Sequence, residues 1–159
     1  MNLEETSVLV DASPAGLNLP SDKCKKEGDG KWTYTINGAT VYIDVFNFNS
    51  NPQNYYLQVC SPLVKMPDKN HEALYLDMLE LNYDTYSCSV CKKGDWFYVM
   101  CLVPTKGLDQ EQVNWMIDKV AYYSNDYYSK LSFKYKGSWP PEPPAGGTSN
   151  GSGGKPPAA

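Results

Sequence analysis

Residues 86–101 read YSCSVCKKGDWFYVMC, a C-x-x-C pair (Cys88, Cys91) with Cys101 ten residues further on. Such a stretch can be a metal knuckle, a thiol redox motif or two strands that contain sulfur, and each answer is a different fold. Lys92-Lys93-Gly94-Asp95 is a turn between β-rich runs, which predicts a hairpin of strands over 86–92 and 95–103. Residues three apart on a strand face opposite sides of the sheet, so Cys88 and Cys91 diverge and share no metal. A zinc site would need a second pair, whereas Cys24 and Cys60 are distant singles and His71 is the only histidine. A redox C-x-x-C would need a helix starting at its first cysteine, and none starts here. The expectation is buried strand cysteines, with no metal and no cofactor.

Working outward, residues 33–46 read TYTINGATVYIDVF, two β-rich runs around Asn37-Gly38, the dipeptide suited to a type I′ turn. Strands follow near 31–36 and 39–48, with a third, YYLQVCS, at 55–61. After SPLVKMP, Asp68 is positioned to cap a helix in which Leu74, Met78 and Leu81 recur at i, i+4, i+7, with Leu79 beside them and Asn82 as a left-handed terminator. Asp109 with Gln112 three residues later opens the last helix. There Val113, Met116, Ile117, Val120, Tyr127 and Leu131 keep helical spacing, and Trp115 and Tyr122 lie on a neighbouring stripe.

The predicted fold class is α+β: a twisted antiparallel sheet of about five strands with helices packed on one face. Its organisation is an N-terminal segment over 1–21, read as irregular, a domain over 22–135 and a tail over 136–159. The tail contains WPPEPPAGGTSNGSGGKPPAA, which has little to bury and reads as a disordered linker; its prolines lack the flanking arginine of a polyproline ligand.

Sorting the strands by parity gives the functional expectation. The last strand places Phe97, Val99, Cys101 and Val103 on one face and Trp96, Tyr98, Met100 and Leu102 on the other. Strand 39–48 likewise places Val41, Ile43 and Val45 opposite Tyr42, Phe46 and Phe48, with Asp44 interrupting. Helices that cover one face leave an aromatic patch on the other, and monomers rarely expose more than a few hundred Å² of contiguous apolar surface. Three covers are open: the N-terminal segment, strand curvature, or a second chain. The preferred reading is a partner held by Tyr42, Phe46, Phe48, Trp96, Tyr98 and Met100, with Trp115 and Tyr122 as a dimer contact.

Composition narrows the classes. The formal charge is -4, and all 14 basic residues are lysines. Without arginine's bidentate fork, nucleic-acid binding is not expected. Lys23, Lys25 and Lys26 are followed at once by Glu27 and Asp29 and read as a solvated turn. No apolar run reaches the roughly 18–20 residues of a membrane span, and the first residues make a poor signal peptide. Five cysteines is an odd count, better suited to a reducing compartment, so a cytoplasmic protein is expected. Catalytic candidates are thin: a lone His71, and Asp44 with Asp95 only if the two meet.

HEALYLDMLELN, the hairpin CSVCKKGDWFYVMCLVP and the closing GLDQEQVNWMIDKVAYYSNDYYSKL together resemble a YbjN-type domain, a family similar to the class I type III secretion chaperones. The resemblance spans roughly 15–131. It implies a dimeric, cytosolic, bacterial α+β protein without enzymatic activity. Chaperone members of that group hold an effector segment extended against apolar patches, and YbjN-type members are labelled sensory-transduction regulators. It also implies a first helix, which VDASPAGLNLP is expected to break at Ser13-Pro14. The functions in play are a protein- or peptide-binding domain, alternatively a sensor binding a small apolar ligand, with no membrane partner.

Overall fold

The computed structural model describes residues 1–135; the expected tail lies outside the described residues. The chain runs α1 (Leu3–Gly16), a single 3-10 turn (Ser21–Lys23), β1 (Cys24–Gly28), β2 (Lys31–Ile36), β3 (Ala39–Phe48), β4 (Asn51–Lys65), α2 (His71–Asp84), β5 (Ser89–Lys93), β6 (Trp96–Pro104) and α3 (Gln110–Lys134). All strand pairings are antiparallel, in the order β1-β2-β3-β4-β6-β5. The architecture is α+β with six strands, one more than the spacing of β-rich runs suggested.

The additional strand is β1. Of the lysines read as a solvated turn, Lys23 closes the 3-10 turn, while Lys25 and Lys26 lie on an edge strand with mostly exposed side chains and Lys25–Glu27 and Lys26–Asp11 ion pairs at 2.8 Å. Charge on an edge strand discourages pairing with another chain, so the composition that resembled a turn also suits this position. At the β2–β3 turn, Asn37 and Gly38 have φ of 51° and 92°, as a type I′ turn requires.

The N-terminal segment is helical, correcting the reading of 1–21 as irregular. Asn2 and Glu5 form a reciprocal capping box at 2.9 and 3.0 Å. Pro14 lies inside α1 and cannot donate to the Val10 carbonyl. The Tyr34 hydroxyl donates to that carbonyl instead, at 2.8 Å. Ser13 donates its hydroxyl to the Leu9 carbonyl within the helix, and Trp32 Nε1 donates to Asp11, so β2 anchors α1 over the turn that precedes the proline. Local chemistry disfavours this helix; contacts from β2 restore it.

The other helices are closer to expectation. Asp109 and Gln112 form the anticipated capping box, and α3 buries Val113, Met116, Ile117, Val120, Tyr127 and Leu131. Helix α2 begins two residues later than Asp68 implied, at a left-handed Asn70 with no side-chain cap, and it buries Leu74 and Met78. Asn82 does not terminate it. Its side-chain amide instead brackets Val90 on β5, accepting from the backbone N–H at 2.6 Å and donating to the C=O at 3.1 Å. One asparagine thereby satisfies the outer edge of the sheet and docks the helix.

All three helices lie on one face. Val10 of α1 meets Tyr34, Ser124 of α3 bonds Ser61 at 2.8 Å, and Tyr75 of α2 contacts the Phe97 ring. The core is correspondingly one-sided, built from Val41, Ile43, Val45, Leu57, Val59, Val99 and Cys101 against the apolar stripes of the helices. No helix among the described residues is long and apolar enough to cross a membrane.

Candidate functional site

The opposite face has no helix over it among the described residues, and every residue singled out there from strand parity is on it. Registry defines its rows. Lys31, Asp44, Gln58 and Leu102 lie side by side across β2, β3, β4 and β6. Thr33, Tyr42, Cys60, Met100 and Ser89 make the next row, and Pro62, Tyr98 and Cys91 the one after. Trp96 is flanked by Lys65 and Lys93 near the hairpin turn.

At one end, Phe46, Phe48 and Tyr56 form a ring cluster with centroids 5.1–6.3 Å apart. Phe46, Phe48, Tyr42, Trp96 and Met100 are all half-buried, and Leu102 is 42% exposed. Between them runs a band that is far less accessible: Asp44 7%, Gln58 1%, Cys60 0% and Tyr98 6%. None of these four belongs to the core cluster beneath the helices.

The band combines apolar contact with polar groups. Asp44 Oδ2 is buried with no hydrogen-bond partner among the described residues. Burial pushes its carboxyl above the usual range, with Lys31 and Lys93 opposing the shift. The Tyr42 and Tyr98 phenols are pushed up as well, by burial first and then by the nearby Cys60 thiol. Gln58 Nε2 lies 4.0 Å from Cys60 Sγ.

The C-x-x-C pair diverges, although β5 begins only at Ser89 and Cys88 lies just before it, after a left-handed Ser87. Cys91 is on the helix-free face beside Tyr98, whereas Cys88 faces Cys101 on the core side. The Cys88–Cys101 hydrogen bond, with burial adding to it, holds Cys88 protonated and lowers Cys101. All five thiols are free. Among the described residues no group of histidine, cysteine or acidic side chains has the geometry to hold a metal ion. The other chemical candidates are apart: exposed His71 approaches the Pro67 carbonyl at 2.6 Å, Asp44 is at the sheet centre, and Asp95 is in the β5–β6 turn.

Trp115 and Tyr122 are on the solvent side of α3, with Lys119 Nζ 5.9 and 5.6 Å from their ring centroids. A larger exposed stripe escaped the sequence reading. On α2, Leu76, Leu79 and Tyr83 are 56%, 67% and 91% exposed, with Tyr86 just beyond the helix. Leu79, which the spacing places beside the Leu74–Met78–Leu81 stripe, is turned outward by the helix. The signal was present as i, i+3, i+7 spacing, masked by the equally apolar stripe of Leu74 and Met78. Tyr56, Gln58 and Cys60 were missed for a simpler reason: sorting β4 by parity would have placed them on the face.

With the geometry defined, the relationships are clear. Residues 23–133 match the YbjN family, described as "Putative bacterial sensory transduction regulator", and the chain belongs to that family. Among solved structures, a chain of the HopA1–SchA chaperone–effector complex is similar at 11% identity and a TM-score of 0.55, over 78% of this chain and 93% of that one. A chain of the ExsC–ExsE complex is similar at 9% identity and a TM-score of 0.59, over 81% and 95%. A search of curated proteins returned no match. At these identities the likeness is one of fold.

Proposed function

We propose that this chain is a non-enzymatic, chaperone-like binding domain that holds a protein or peptide partner on its helix-free sheet face. The observation that carries this reading is the one-sidedness of the helices, which leaves Tyr42, Phe46, Phe48, Trp96, Tyr98 and Met100 on a face with no described layer above it. Large rings and a methionine supply contact area and adaptable packing, and an extended segment can lie across such a surface. Similarity to folds found in chaperone–effector complexes supports the same class of role.

The protein acts as a homodimer in the cytoplasm. The α2 stripe of Leu76, Leu79 and Tyr83 is the better dimer contact, since its apolar side chains are more exposed than Trp115. Free thiols suit a reducing compartment.

Native mass spectrometry of protein purified from its own cells tests the reading. A bound polypeptide that is lost on Trp96→Asp supports it. A small-molecule adduct would instead establish the sensor alternative, and identical capture by wild type and Trp96→Asp would remove the face from consideration.

A further inference from the structure

The fold brings together a different cysteine pair from the one that the C-x-x-C spacing suggests. In the β5–β6 hairpin, Val90 is opposite Val99 and Ser89 is opposite Met100, so one step further back Cys88 comes up against Cys101. Their side chains share a hydrogen bond on the core side, where Cys101 belongs to the core cluster and Cys88 packs against it. Residues directly opposite on antiparallel strands have Cα atoms about 4.5–5.5 Å apart, inside the roughly 4.4–6.8 Å that a disulfide spans. Cys91 is on the other face, and Cys24 is on β1 at the far edge of the sheet.

We propose that Cys88 and Cys101 form a reversible oxidation site, at which hydrogen peroxide converts the two thiols into an intramolecular disulfide that clasps the outer strand β5 to β6.

Access and reactivity are divided between the two. Cys101 is 3% exposed, whereas Cys88 is half-buried at the outer edge and gives a small peroxide its approach. The hydrogen bond from Cys88 lowers the Cys101 thiol below its usual range, with burial opposing, so Cys88 keeps its proton and Cys101 is the nucleophile. Lys119 of α3 adds positive charge beside the pair. Cys24, also half-buried, is instead pushed up by burial and by Asp22. The Cys101 thiolate attacks one peroxide oxygen and breaks the O–O bond, giving a sulfenic acid, and the hydroxide released takes the Cys88 proton. The Cys88 thiolate then attacks the Cys101 sulfur and expels a second hydroxide, which takes a proton from solvent. The thiols lose two electrons and the peroxide becomes two waters.

The consequence is local. Tyr86 N–H donates to the Tyr123 hydroxyl of α3 at 3.0 Å, and Asn82 of α2 brackets Val90, so the chain on either side of Cys88 is already fastened to the helices. The disulfide extends that fastening to β6. It faces away from the helix-free surface, so it stands or falls separately from the protein-binding reading.

Thiol mapping of the full-length, fully reduced chain tests the assignment. After brief exposure to a few equivalents of hydrogen peroxide, denaturation and alkylation, two of the five thiols are expected to be lost, joined in a Cys88–Cys101 peptide that dithiothreitol returns to free thiols. Cys24 and Cys91 should be recovered alkylated. A Cys88–Cys91 link, a disulfide between two chains, or no loss of thiol under peroxide that oxidises free cysteine overturns the proposal. In Cys88→Ser, whose hydroxyl keeps a donor beside Cys101, dimedone is expected to trap a sulfenic acid on Cys101; an unlabelled Cys101 there overturns the order of attack. Hydrogen exchange reads the clasp. The Val90 amide is expected to exchange several-fold more slowly in the oxidised chain, and equal rates overturn that role.

Discussion

The Tyr34 hydroxyl donates to the Val10 carbonyl at 2.8 Å, taking the hydrogen-bond position in α1 that Pro14 leaves empty. The partners are 24 residues apart, and both are almost completely inaccessible. Tyr34→Phe is expected to cost about 1–3 kcal/mol, the penalty for a buried acceptor left unmade. Pro14→Ala supplies an N–H to the same carbonyl, so the cost of Tyr34→Phe is expected to shrink in that background. A double-mutant cycle by urea unfolding measures the coupling; additive effects would mean that the two residues act independently.

Asp44 makes stability depend on pH with a definite sign. Burial raises its folded-state value above the ordinary 3.8, so between the two values the folded chain binds more protons than the unfolded one. This group's contribution is therefore most favourable below 3.8 and declines as pH rises through the folded value. Asp44→Asn removes that decline. Urea midpoints compared from mildly acidic to neutral pH should show the variant gaining on wild type as pH rises; a constant difference would refute the assignment.

Asn82 protects the sheet edge by bonding both backbone groups of Val90. Asn82→Ala is expected to destabilise the fold by about 1–3 kcal/mol, since a polar group beneath α2 loses its partner. The Val90 amide should exchange with solvent markedly faster in the variant. Unchanged protection of that amide would show that another group closes the edge.

The α2 stripe yields a prediction about assembly. Leu79 is 67% exposed, so Leu79→Asp is expected to leave the monomer's fold intact while converting the proposed dimer to a monomer in sedimentation velocity. Trp115→Asp serves as the comparison. Loss of the dimer in that variant alone would return the contact to α3.

Much of the fold was legible because the signals were local. Asn37-Gly38 dictated a tight hairpin through backbone sterics, and Asp109 with Gln112 marked the start of α3 through two short hydrogen bonds. Strand periodicity predicted that Cys88 and Cys91 diverge, and they do, although Cys88 lies one residue before β5. The candidate face was half legible. Parity identified its β3 and β6 residues, but it marks Asp44 as an interruption of an apolar face, and that residue's significance depends on what lies opposite it on β2 and β4.

The amino-acid sequence by itself determined which residues alternate, which turns close and where α3 starts, since each is a matter of neighbours a few positions apart. Tertiary structure alone decided that α1 persists through Pro14, that Asn82 closes an edge instead of ending a helix, and that all three helices share one side of the sheet. Those outcomes depend on groups brought together from distant parts of the chain: a tyrosine hydroxyl reaching a vacated carbonyl, and an amide meeting an unpaired strand. Periodicity records that an element has two faces; only packing assigns each face its neighbour.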